Sequence, residues 1–185
     1  MSKLSRLDRT VDSSLLLQGP CPWLSASEPG WAPLDLPAAL ERGRVFSSRE
    51  TPPGSCLLAR YFRRLVDEAF VGKAYFGLGT EGPPGLAHNG SIGTLLDEAL
   101  GGAIWLSGHV AFARHLALDF LQRIPLGSEV LLEGKLLRRE GRRIDAVGLL
   151  LPRHGEHPLA RATAIYDKVD PASAGTTGRV IVGGV

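Results

Sequence analysis

Three features of the sequence predict an α+β domain in which an antiparallel sheet wraps one long helix. Apolar residues recur at helical spacing as Ile92, Leu95, Leu96, Ala99, Leu100, Ala103 and Ile104. Two strand-like segments, 57–62 and 69–76, precede that stripe, with 63–68 as their turn. Four more follow it, at 109–123, 128–139, 142–151 and 158–169, separated by turn compositions such as Pro125-Leu126-Gly127 and Glu140-Gly141. The succession predicts a meander-like sheet and lacks the alternating strand and helix units of a parallel α/β fold.

The helix carries the first chemical signal. Ser91 is the expected N-cap, and Asp97 projects off the apolar stripe on a side shared with Gly93 and Gly101. A glycine inside a helix costs about 1 kcal/mol relative to alanine. Gly93, Gly101 and Gly102 therefore predict a close approach to this helix, by packing or by a ligand beside Asp97.

The preceding loop, Glu81-Gly82-Pro83-Pro84-Gly85, delivers His88-Asn89-Gly90 to the helix entrance. Asn89 and Gly90 both tolerate positive φ, and free N–H groups at the positive end of a helix dipole suit an oxygen that gains negative charge. His88, Asn89 and Gly90 are the expected oxyanion site, with Asp97 as base or nucleophile.

These residues resemble a known family. His88-Asn89-Gly90 followed by Leu95, Leu96, Asp97 and Ala99 is similar to the His-Gly-Gly loop and helical acid of hotdog-fold acyl-CoA thioesterases. The Glu81 to Gly85 loop points to the thioesterase-superfamily-member branch, and the acid nine residues after the histidine is also the register of phenylacetyl-CoA thioesterases. The resemblance spans about 56–170. It implies a hotdog domain that forms a homodimer or a dimer of dimers, with sites between subunits and Asp97 supplied by the neighbour. It also implies acyl-CoA as substrate, with coenzyme A entering only as part of it and no separate cofactor or metal. His88 would hold the loop in shape. Asn89 stands where the family usually has glycine, a change that preserves the backbone N–H. It keeps open a non-catalytic acyl-CoA binder; a hotdog hydratase or dehydratase is a further alternative, without a second acid or histidine at a fitting spacing.

The segment Gly77-Leu78-Gly79-Thr80-Glu81-Gly82 satisfies the dinucleotide pattern G-x-G-x-x-G, but that fingerprint needs a helix beginning within it, which Pro83-Pro84 forbids. With 185 residues, 44% of them apolar, the chain suffices for one good core. Residues 1–54 are Pro-rich and read as an extension packed on the domain, with a short helix over 35–42; the alternative is a lid over the acyl pocket. The domain itself is placed at 55–170 and a flexible tail at 171–185. A net charge of +2 without a long basic block argues against nucleic acid as partner. Cys21 and Cys56 read as ordinary thiols, no stretch reaches transmembrane length, and the cytoplasm is the expected compartment.

The strand at 109–123 alternates. Val110, Phe112, Leu116, Leu118 and Phe120 are expected against the helix, with Ala111, Ala113, His115, Ala117 and Asp119 on the other face as a narrow channel or subunit interface. His115 and Ala117 are therefore contact candidates, beside Ser91 at the helix entrance. The Arg138 to Arg143 run reads as a solvated hairpin tip; the resemblance puts the ends of these strands near the site, which implies Arg123 and Arg161 as partners of the coenzyme A phosphates.

Overall fold

The computed structural model of the chain describes residues 22–34 and 57–169. Cys21, Cys56, the expected helix at 35–42 and the tail at 171–185 lie outside these residues. A short helix α1 (Pro22–Ser25) leads into β1 (Trp31–Pro33), β2 (Leu57–Arg64) and β3 (Ala69–Phe76). A 3-10 turn (Leu78–Thr80) then precedes the long helix α2 (Asn89–Leu106). Four strands complete the domain: β4 (Ala111–Phe120), β5 (Glu129–Glu140), β6 (Arg143–Pro152) and β7 (Ala160–Lys168).

All seven strands form one antiparallel sheet in the order β1-β2-β3-β5-β6-β7-β4. The expected meander holds for β5, β6 and β7, but β4 is displaced from it. Having crossed one face as α2, the chain runs β4 down the far edge beside β7 and returns to pair β5 with β3. β1 is a strand that the Pro-rich composition concealed.

The helix lies almost directly on the sheet. Leu95, Leu96, Ala99 and Leu100 are wholly buried against Phe70, Ala74, Val130, Leu132, Ile144 and Leu150. Their approach requires glycine on both sides. A Cβ at Gly134 of β5 would strike the Ala99 carbonyl, and one at Gly102 of α2 would strike the Phe70 ring. The helix glycines thus have different causes, because Gly102 is packing and Gly93 accommodates Leu118 at 3.1 Å, whereas nothing lies within 4 Å of a Cβ at Gly101.

The opposite face of the sheet has its own small core, where Phe62, Ala69 and Val71 are covered by Trp31, whose ring is 5.6 Å from that of Phe62. Beside it Lys73 is fully buried, donating to the carbonyls of Trp23 (3.1 Å) and Ala26 (2.7 Å) and pairing with Glu28 at 2.7 Å. Residues 22–34 therefore strap the face away from α2. The rest of the extension at 1–54, on which the alternative of a lid also falls, lies outside the described residues.

β4 departs from its expected facing. A bulge between Ala113 and His115 reverses the alternation, and cross-strand partners share a face. Leu116 and Leu118, opposite the buried Ala164 and Ala162, lie on the helix side, while Phe112 opposite Asp167 is turned outward and is 66% exposed. Of the large residues only Leu118 packs on the core; Leu116 and Phe120 remain exposed because α2 passes under β4 at one point.

Gly134→Ala is expected to lower stability by about 1–3 kcal/mol, since the clash is with backbone and neither element can yield alone. Urea unfolding checks this, and an unchanged midpoint would mean that helix and sheet do not meet there.

Candidate active site

The entrance of α2 is built by a tightly tied loop. Thr80 closes the 3-10 turn by donating its hydroxyl to the Gly77 carbonyl (2.7 Å), and its own carbonyl accepts from the His88 N–H at 2.7 Å. Glu81 accepts from the Gly85 N–H at 2.8 Å, and Gly85 takes a left-handed φ of 73°. A side chain at Gly82 would come within 2.8 Å of the His88 Cα, so this glycine is fixed by contact. The Ala87 N–H donates to the Ile124 carbonyl at 2.8 Å, which moors the entrance of the helix to the chain leaving β4.

His88, not Ser91, is the N-cap. Its Nδ1 accepts from the Gly90 N–H at 2.8 Å, and its carbonyl accepts from Ser91 (2.9 Å) and Ile92 (3.2 Å). Accepting at Nδ1 requires that nitrogen to be unprotonated, so the ring proton sits on Nε2. Ser91 is inside the helix and 2% exposed. The Gly90 N–H is thus occupied, whereas Asn89, as first residue of the helix, has no intrahelical acceptor for its N–H.

Asp97 lies on the flank of α2 nearest β7 and β4. Its outer edge is open to solvent, yet enough protein crowds the carboxylate that desolvation raises its pKa. Tyr166 of β7 feels that charge. Burial and then the negative Asp97 push its phenol well above the ordinary range.

The remaining residues scatter. His115, paired with Ile165, and Ala117, paired with Thr163, lie on the face away from α2. Arg161, opposite Asp119 and Leu149, shares that outer face. Arg123 is exposed beside the helix entrance, next to Ile124. The structure therefore gathers His88, Asn89, Gly90 and Ser91 at the helix entrance and holds Asp97 apart on the flank. Tyr166 is the neighbour that sequence missed, and its signal was faint: one aromatic among the alternating small residues Ala160, Ala162 and Ala164. Among the described residues no cluster of His, Cys, Asp or Glu could hold a metal, and no helix is long and apolar enough to cross a membrane.

A helix laid on an antiparallel sheet, entered through a glycine loop and bearing an acid on its free flank, defines a hotdog domain. The sequence profile of the thioesterase superfamily matches residues 84–148. Acyl-coenzyme A thioesterase THEM4 of Xenopus laevis is 38% identical over 93 residues, 49% of this chain and 41% of the relative. Acyl-coenzyme A thioesterase THEM5 of Homo sapiens is 28% identical over 86 residues, 46% of this chain and 35% of the relative. The chain thus spans about two-fifths of the length of these curated relatives. A thioesterase superfamily protein of known crystal structure aligns at TM-score 0.56 and 26% identity over 59% of this chain and 53% of that one. A Streptococcus mutans protein solved with acetyl CoA shares the fold at TM-score 0.52 and 19% identity over 55% of this chain and 81% of that one.

A carboxylate whose pKa is raised by folding costs stability when ionised; the cost is absent below the unfolded pKa and complete above the folded one. Asp97→Asn is therefore expected to raise the melting temperature at about pH 7, with the gain vanishing toward about pH 3. Thermal melts at both values check this, and a mutant no more stable than the parent at neutral pH would show that the charge is not desolvated.

Proposed function

We propose that this domain hydrolyses acyl-CoA thioesters as a homodimer, each site combining the helix entrance of one subunit with Asp97 of the other. The observation that carries this is a spacing. Asn89 and Asp97 are eight residues apart on one straight helix, about 12 Å at 1.5 Å per residue, too far to act on one carbonyl. Two copies remove the difficulty.

The edge that a second copy would meet is β4. Its outer backbone groups have no strand beside them among the described residues, and Phe112, Leu116, Phe120 and Leu121 leave apolar surface exposed along it. A two-fold axis through such an edge pairs β4 with itself antiparallel. Since Asp97 lies on the flank of α2 nearest β4, the axis draws it toward the neighbouring subunit.

In the reaction, the Asn89 N–H and the positive end of the helix dipole stabilise charge on the thioester oxygen. His88 acts by position, holding the first turn through Gly90. Asp97 accepts a proton from water as that water attacks the carbonyl carbon, or attacks that carbon itself and is later released by water. The carbon–sulfur bond breaks, the thiolate leaves and is protonated, and the products are free acid and coenzyme A. The raised pKa suits a base poised closer to neutrality than an exposed carboxylate. The acyl-coenzyme A thioesterase names of the curated relatives support the substrate class.

The exposed Asn89 side chain at this entrance favours a second reading, an acyl-CoA binder without turnover. Thiol release across short, long and aromatic acyl-CoAs separates the two. Asp97→Asn is expected to lower turnover at least about a hundredfold while leaving the dimer intact. Full activity in the folded mutant would remove Asp97 from the mechanism, and a parent protein stabilised by acyl-CoA but releasing no thiol would establish the binder. Leu116→Pro, which removes an outward N–H from β4 while the neighbouring Ala117 keeps its pairing with Thr163, is expected to yield monomers with activity lost in proportion. Active monomers would disprove the composite site.

A further inference from the structure

We propose that Arg139, Lys168 and His109 form the cradle for the phosphate groups of coenzyme A, a proposal that rests on the acyl-CoA reading above. The basic run at the β5–β6 hairpin is divided by the two faces of the sheet. A register shift between Leu136 and Arg138 sends Arg138 to the outer face opposite Asp145, and turns Arg139 to the helix side opposite the wholly buried Ile144. Ile144 in turn pairs with Tyr166, so Arg139 heads the row that feels the charge of Asp97.

Lys168 belongs to the same side, since it pairs with Ala111, which packs on the main core. His109 lies between the two cations, its Nε2 3.4 Å from Nη1 of Arg139.

The faces differ in how their charges are balanced. On the outer face Arg138 pairs with Glu140, Arg143 with Asp145 at 2.8 Å and Arg114 with Asp167 at 3.2 Å. On the helix side neither Arg139 nor Lys168 has an acid partner among the described residues. Desolvation and then the charges of Lys168 and Arg139 lower the pKa of His109, as expected where positive groups gather uncompensated. Such a cluster is suited to a multiply charged anion, and arginine in particular to the planar oxygens of a phosphate.

The two-fold pairing gives the cluster its place. The exit of α2 lies beside His109, whose N–H donates to the Ile104 carbonyl at 3.2 Å, and its entrance lies beside Ile124. The helix therefore runs antiparallel to β4, and pairing β4 with a second copy brings the basic end of one subunit to the helix entrance of the other. A thioester held at that entrance would extend its pantetheine arm along the seam toward the unpaired cations. Arg161 is less suited, because it faces the other side of the sheet.

The test compares acyl-CoA with the matching acyl-pantetheine, which lacks the nucleotide, in the full chain. The double variant Arg139→Gln, Lys168→Gln is expected to raise KM for acyl-CoA about tenfold or more, with kcat and the acyl-pantetheine kinetics unchanged. Arg138→Gln with Arg143→Gln on the outer face is the control and is expected to change neither. A helix-side pair that moves KM no more than the outer pair, or that weakens both substrates alike, overturns the cradle. If the parent turns over neither thioester, the hydrolase reading has failed and calorimetry with coenzyme A and pantetheine decides instead. Coenzyme A binding lost in the helix-side pair sustains the cradle, and undiminished affinity overturns it.

Discussion

The contact on which the rest of the molecule depends is the approach of the α2 backbone to β5, where Gly134 faces the Ala99 carbonyl. With that gap closed, Leu96 and Leu100 are driven into the sheet and the rotation of the helix is fixed. Asp97 then has one place to go, the flank beside β7 and β4, where it is neither buried with the leucines nor fully in water. The raised pKa of the acid follows from a packing decision made two residues away.

The helix entrance is governed by a different constraint. The His88 ring, the Thr80 carbonyl and the Ile124 carbonyl each take an N–H from this short stretch, so the first turn is held from three directions. Preorganised donors act without reorganisation when charge develops, which is how a single backbone N–H and a dipole can serve a reaction. Entrance and acid are each rigid, and the helix that joins them also keeps them apart.

Much of this was legible in the sequence because it depends on local rules. The 3.6-residue period gave α2 to within three residues at its start, and turn compositions gave β5 to β7 to within two residues. Ser91 was mistaken for the cap because a histidine ring is an uncommon cap acceptor, and its hydrogen bond to Gly90 is a matter of rotamer. The displacement of β4 to the far edge is set by the crossing of the helix, which no strand pattern encodes. The bulges at Arg114 and Leu137 each insert one residue, which reverses a face while leaving the composition unchanged. That is why Phe112 was expected inside, and why Arg139 was read as one more arginine in a solvated run.

The buried Lys73 extends the argument to where the domain begins. Its ammonium sits on the outer face of β3, where the carbonyls of Trp23 and Ala26, the carboxylate of Glu28 and the ring of Trp23 hold it. Cutting the chain just before β2 would strip those oxygens, bare the apolar Phe62 and Val71, and turn β2 into a new open edge. The packing of the sheet therefore reaches back at least as far as Trp23, well ahead of residues 84–148 that match the family profile and of any residue of the candidate site.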